Sequence, residues 1–321
     1  MIETEVAVIG AGPGGAVTAC TLAEAGVDVT LLEDGPHLGL ESCEPFSLEE
    51  LTQKYRNGGL TAALGNVTVN YVEGRCVGGG SEINSGLYHR TPPEILAGWH
   101  TTFSLAGASE SEMQEHFEAC ERELGVGAPP EILPAASRKL QAGAAHLGWR
   151  SLEVPRWFRG GIRQSMTQTF VPRALRAGAR LVPGARAVRL RRTGSRWTIS
   201  VRPMDLLQPE REVIARHVFV SAGAVQTPAL LLRSGISHNV GKTLRMHPTI
   251  KAVARFDDAV NSGAGEVAAH QVKEFSPALS FGCSIATPAY LALALADTAR
   301  GCGSVDAAWQ SMAIYYAAIA G

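Results

Sequence analysis

The sequence predicts an α/β fold built on a doubly wound, Rossmann-like nucleotide-binding domain, and three observations predict it. A short apolar, β-branched run, Val6-Ala7-Val8-Ile9, leads directly into Gly10-Ala11-Gly12-Pro13-Gly14-Gly15, the strand and G-x-G-x-x-G turn that open such domains. Glu33 ends the next predicted strand 18 residues past Gly15, close to the ~20 at which a carboxylate meets a ribose hydroxyl. A second strand–turn–helix pattern recurs far downstream, at 213–236.

Each element of the first unit has a physical reason. The apolar stretch 16–25 reads as a helix, Gly26 stops it as a left-handed cap, and 27–32 reads as the second strand. Gly10 permits the tight turn out of the strand, and Gly12 lets the backbone approach a pyrophosphate. Gly15 lets the helix press on the sheet, with Gly14 in the same turn. Free amides at the helix start meet phosphate charge. This unit alone leaves FAD and NAD equally open.

The next distinctive stretch is Gly74 to Gly86. Its glycines Gly78, Gly79 and Gly80 can lie flat against a planar ligand, and Ser81 and Asn84 offer polar groups beside it. Taken alone, a glycine-rich interdomain loop explains it as well. Farther on, 213–220 reads as a strand. Ser221-Ala222-Gly223-Ala224-Val225-Gln226-Thr227-Pro228 follows, with Thr227 as a helix cap, Pro228 in the first helical position and Gly235 as the stop.

These stretches resemble the glucose-methanol-choline (GMC) oxidoreductase family. Gly78, Gly79, Gly80, Ser81 and Asn84 match its GG-[SGT]-[ST]-x-x-N element, and 223–236 matches its G-A-x-x-T-P-x-L-L-x-x-S-G-I signature. The continuation Leu87-Tyr88-His89-Arg90-Thr91-Pro92 is closest to the branch acting on long-chain or bulky apolar alcohols. The resemblance implies FAD as cofactor, with the 78–84 loop along the pyrophosphate and ring and with Ala222 and Gly223 at the nucleotide. It also implies that a strand within 178–190 offers backbone groups to the adenine at Ala187, where a valine is more usual. Arg186, Arg189, Arg191, Arg192 and Arg196 nearby read as a solvated strand edge.

The implied organisation is a discontinuous FAD-binding domain from 1–100 and 160–248, an intervening helical segment at 101–159, and a partial α+β substrate domain over 249–321. Within that last part, 251–256 and 267–275 read as strands, and 290–298 and 307–320 as helices. The segment Asn239 to Pro248 resembles the family's link between domains, which gives His247 a structural role. The family's active-site histidine region has no match here. No catalytic residue is assigned, and the chain is expected to lack the C-terminal catalytic region or to be completed by another polypeptide. By itself it is expected to be nearly inactive.

Composition bounds the rest. Lys and Arg number 29 against 30 Asp and Glu, so no positive field suited to nucleic acid or an anionic membrane arises. Six cysteines include no CxxC or Cys/His ligand spacing, which predicts free thiols and no metal. The acidic start and the lack of an apolar run near ~20 residues predict a cytoplasmic chain without a membrane span.

Overall fold

The fold begins with β1 (Ile2–Ile9), α1 (Pro13–Glu24) and β2 (Val29–Leu32). In this computed structural model the described residues are 1–127, 133–261, 267–296 and 305–319. β1 alternates in burial at first and is wholly buried over its last four residues, as befits a strand covered on both faces. α1 starts earlier than its apolar pattern because Pro13, in its first turn, needs no amide partner. Gly26, at φ +82°, ends it as expected.

Next come α2 (Leu48–Lys54), a hairpin of β3 (Thr61–Ala63) and β4 (Val69–Tyr71), and the peripheral helices α3 (Pro93–Phe103) and α4 (Glu110–Leu124). Ser109 and Glu112 close a reciprocal capping box on α4. The segment 101–159 then mixes helix with short strands: β5 (Val126–Gly127), α5 (Ala135–His146), β6 (Ser151–Glu153) and β7 (Arg156–Arg159). β8 (Ile162–Arg163), α6 (Phe170–Arg176), β9 (Arg180–Val182), β10 (Ala185–Thr193), β11 (Arg196–Pro203), β12 (Arg211–Val220) and α7 (Gly223–Arg233) follow. Last are β13 (Thr249–Arg255), β14 (His270–Val272), β15 (Leu279–Ser284), α8 (Pro288–Leu295), α9 (Val305–Ala308) and β16 (Met312–Ile319).

Two sheets organise these elements. The first has the order β10-β11-β12-β1-β2-β9; β12, β1, β2 and β9 run parallel, and β10 and β11 add antiparallel. α1 and α6 bury one face around Val8, Leu31 and Val171, while Leu230 of α7 packs on the other with Ile9, Leu32 and Ile199. Helices on both faces make this the expected doubly wound domain. β10 is the edge, so its arginines lie on a solvated margin.

The second sheet has the order β13-β16-β15-β14-β6, wholly antiparallel. β6 comes from within 101–159, so this sheet is not built from 249–321 alone. α5 covers one face, where Cys283 and Ala313 pack with Ala136; α8 covers part of the other, where Leu291 packs with Met312 and Ile314.

Two expectations need correction. Residues 312–319 form a strand, not a helix: Met312 to Ile319 is a short apolar run rich in β-branched and aromatic residues, and β13 and β15 pair with it on both sides. Its apolar character therefore reflects a strand paired on both edges. Thr227 does not cap α7 as its first residue, since the helix starts four residues earlier, at Gly223, and holds Pro228 inside. Thr227 Oγ1 instead accepts from the Ala222 amide at 3.1 Å and so still serves that helix start. The expected helix 290–298 is α8, with its last two residues outside those described.

Cys20, Cys43, Cys76, Cys120 and Cys283 are free thiols; Cys302 lies outside the described residues. No helix among the described residues is long and apolar enough to cross a membrane. Nor do the described residues include a group of three or more His, Cys, Asp or Glu placed to hold a metal.

Candidate functional site

Three turns from distant parts of the chain meet at the end of β1. Gly10 N donates to Leu32 O at 2.7 Å, Ser221 N donates to Ile9 O at 2.7 Å, and Gly78 N donates to Ala11 O at 2.9 Å. The first turn thus carries the end of β2, the turn after β12 and the 78–81 loop as direct hydrogen-bond neighbours. The contacts are backbone against backbone. A Cβ on Gly79, which has φ +53°, would stand 2.9 Å from the Gly12 Cα, closer than real side chains approach. Gly15 is pressed as tightly between the Gly10 carbonyl and Ser221.

The opposite side of this junction is open. A Cβ built on Gly80 or Gly223 meets no atom within 4 Å, and one on Gly12 meets only the Gly79 Cα at 3.9 Å. A backbone-lined cradle results, with the N-terminus of α1 beside it. Ala222 packs against Gly10, so both residues expected at the nucleotide stand at this cradle.

Glu33 closes one end. Its main chain is fixed, with N donating to Val182 O at 3.0 Å and O accepting from Ala185 N at 2.7 Å. Its buried carboxylate accepts from Ala11 N at 2.8 Å and Gly35 N at 2.9 Å. Burial pushes this carboxyl up to about 7, against the pull of those two amides. Each oxygen keeps an unused lone pair able to take a hydroxyl. Burial also raises the neighbouring Asp34, but Arg75 and Arg56, at 3.1 and 3.0 Å, outweigh it and hold that carboxyl below its usual range. These pairs tie the approach to the 78–81 loop to the end of β2.

Ala187 lies on β10, two residues past the Ala185 contact with Glu33. A bulge between Ala187 and Arg189 interrupts the ladder there. This is the position at which the resemblance expects backbone groups to be offered to a ligand; Ala187 itself stays paired with Val201, and the extra residue of the bulge is Val188, whose carbonyl accepts from Arg233 Nε at 3.1 Å.

Ser81 and Asn84 are used differently from the glycines. The Ser81 hydroxyl donates to Gly78 O at 2.7 Å and accepts from Met166 N at 3.0 Å, fully buried. It pins the loop to the segment leading into α6. Ser81→Ala is expected to lower stability by about 1–3 kcal/mol, the cost of stranding a buried donor and acceptor, as read by denaturant unfolding. Asn84 is exposed, and its Oδ1 accepts from Gly86 N at 3.0 Å.

Residues that sequence reasoning passed over hold the junction. Ser221 is wedged among Gly10, Gly14 and Gly15. Arg163 donates to the carbonyls of Glu82 and Asn84, and Glu82 accepts from the Thr167 hydroxyl at 2.8 Å. Gln226 reaches Glu73 at 3.2 Å. Ser221 was the findable one, since it heads the Ala222-Gly223 turn; a partner some 80 residues away, such as Arg163, leaves no local signal.

Comparison with known proteins agrees with this architecture. Residues 51–249 match the family described as GMC oxidoreductase, and residues 8–45 match the NAD(P)-binding Rossmann-like domain. An uncharacterized GMC-type oxidoreductase of Sinorhizobium fredii is 35% identical over 99% of this chain and 66% of its own length. A long-chain-alcohol oxidase of Arabidopsis thaliana is 29% identical over 81% of this chain and 38% of its own. The chain thus spans two thirds or less of these relatives. The crystal structure of pyridoxine 4-oxidase superposes with a TM-score of 0.73 at 19% identity, covering 98% of this chain and 71% of that one, so the two share a fold. FAD is the cofactor of the family's dinucleotide-binding domain. With its family match spanning more than half of its residues, this chain belongs to the GMC oxidoreductases.

Proposed function

We propose that this chain binds FAD in the glycine cradle and forms the cofactor-holding part of an enzyme that oxidises the CH–OH group of an alcohol. The observation that carries this reading is the meeting of the 10–15, 78–81 and 221–223 turns around one open cradle, with a buried carboxylate at its end. The likeness to long-chain-alcohol oxidases supports an alcohol as substrate. When bound, FAD supplies the two-electron acceptor for hydride leaving the alcohol carbon.

The chain's own residues would hold the cofactor by complementary chemistry. The free amides at the start of α1 would face the pyrophosphate, and Glu33 would accept ribose hydroxyls on its unused lone pairs. Gly78, Gly79 and Gly80 would present flat backbone, Ala187 on the edge strand β10 would offer backbone groups to the adenine, and Ala222 and Gly223 would flank the nucleotide. Asn84, exposed at the end of its loop, keeps its amide nitrogen for the ligand. No residue of the chain is assigned as the base, so FAD-loaded chain alone should turn over primary alcohols hardly at all; brisk turnover would place the base within it.

Gly80→Phe tests the cradle without disturbing the fold, because nothing stands where its side chain would begin. Stability should be unchanged, while FAD uptake, followed by flavin fluorescence, falls at least about tenfold, which corresponds to ~1.4 kcal/mol. Unaltered uptake in a well-folded variant would move the cofactor elsewhere.

A further inference from the structure

One row of the second sheet carries an arrangement that neither packing nor cofactor binding uses. Lys251 pairs with Tyr316, Tyr316 with Gly282, Gly282 with Gln271, and Gln271 with Leu152. Directly paired residues share a face, so this row crosses all five strands on one side. It is the α8 side: Val253 and Ile314, two residues along from Lys251 and Tyr316, pack with Leu291 of α8. Gly282 matters here, because a Cβ on it would collide with the Tyr316 ring. Its absence lets Tyr316 lie flat across the sheet and accept from Gln271 Nε2 at 2.7 Å.

The row adjoins the cradle. Lys251 Nζ lies 5.9 Å from the Tyr290 ring centre, and Tyr290 meets the Tyr55 hydroxyl at 2.6 Å. Tyr55 in turn donates to Ile83 O at 3.1 Å, within the 78–84 loop.

Two features show that the row is unsatisfied. Gln271 is only 6% exposed, yet its Oε1 has no hydrogen-bond partner among the described residues. Lys251 is open to solvent yet partly desolvated, which lowers its pKa, and no carboxylate among the described residues offsets that. Lys273, two residues along from Gln271, is likewise lowered by desolvation alone. A row with a cation, a phenol and a buried amide oxygen, and a second cation just past its β14 strand, is poorly suited to an alkyl chain.

We propose that this row roofs the substrate pocket of the reaction proposed above, on which the idea rests, and that it receives an alcohol bearing a carboxylate, with Lys251 on the anion. Tyr316 and Gln271 supply hydrogen bonds along the substrate, and Leu152 closes the far end with an apolar surface. This differs from the apolar alcohol that the sequence resemblance implies.

The test uses two probes that differ only in the anion, 4-(hydroxymethyl)benzoate and benzyl alcohol, titrated calorimetrically into the chain after incubation with FAD. The carboxylate probe should bind at least about tenfold more tightly, as expected for a charge-assisted contact. Lys251→Ala should remove that preference and leave benzyl alcohol affinity unchanged, while Lys251→Arg should retain most of it. Equal affinity for the two probes, undetectable binding of both, or a preference that survives Lys251→Ala would each overturn the proposal. FAD content is measured on the same samples. A chain that takes up no flavin defeats the function proposed above, whereas flavin uptake without carboxylate preference defeats only this roof.

Discussion

Arg163→Ala is expected to lower the stability of the fold by about 3–5 kcal/mol, the range for removing one partner of a buried charged pair. Arg163 is 6% exposed, on β8, and its guanidinium stands 3.8 Å from the Glu50 carboxylate while donating to the carbonyls of Glu82 and Asn84. Glu50 is itself buried, and burial pushes its carboxyl up despite the Phe46 amide that it accepts. Alanine would leave that carboxyl and two carbonyls facing a gap. Arg163→Lys should fall between, since lysine keeps the charge and loses the planar fork that reaches two carbonyls at once. Both carbonyls belong to the 78–84 loop, so FAD uptake should fall together with stability. Denaturant unfolding is the measurement; a loss below about 1 kcal/mol, the scale of an exposed ion pair, would mean that neighbours replace the guanidinium.

Glu33→Ala should weaken FAD binding by about tenfold to a hundredfold, the equivalent of a charge-assisted hydrogen bond of ~1.5–3 kcal/mol. It also strips the acceptor from the amides of Ala11 and Gly35, so the first turn loosens. Unchanged flavin occupancy would remove Glu33 from the site. A second measurement separates its charge from its shape. Folded, this carboxyl titrates at about 7 against an ordinary 4.5. The FAD-free folded chain therefore keeps a proton that the unfolded chain has lost, and stability falls as pH rises between these values, then levels off above the higher one. In Glu33→Gln this part of the pH dependence of thermal unfolding should disappear. An identical slope in variant and wild type would show that Glu33 does not carry it.

The sequence made the junction legible because its parts are backbone devices. Gly10, Gly15 and Gly79 are glycines since no side chain fits where turns touch, and that requirement is written locally. Glu33 was legible because the strand–helix–strand unit fixes its distance from Gly15. The side chains that clamp the junction were not, since Arg163 and Glu82 act on segments remote in sequence. The last strand misled for a different reason: Met312 to Ile319 is apolar on both faces, so it lacks the alternation that marks a strand, and only the neighbours it pairs with settle its state. Ser81 shows a third case, where a motif position marked the right loop while its hydroxyl turned inward.

The path of the chain between its two sheets has a consequence for any nick in the polypeptide. β1 and β2 are joined in one sheet by β9 to β12, and β6 is claimed by β14 in the other. Cleavage between 153 and 180 therefore assigns partners of both sheets to different fragments, and the pieces must either stay clasped or both come apart. Neither half can be expressed as a free-standing unit by trimming the gene at one point.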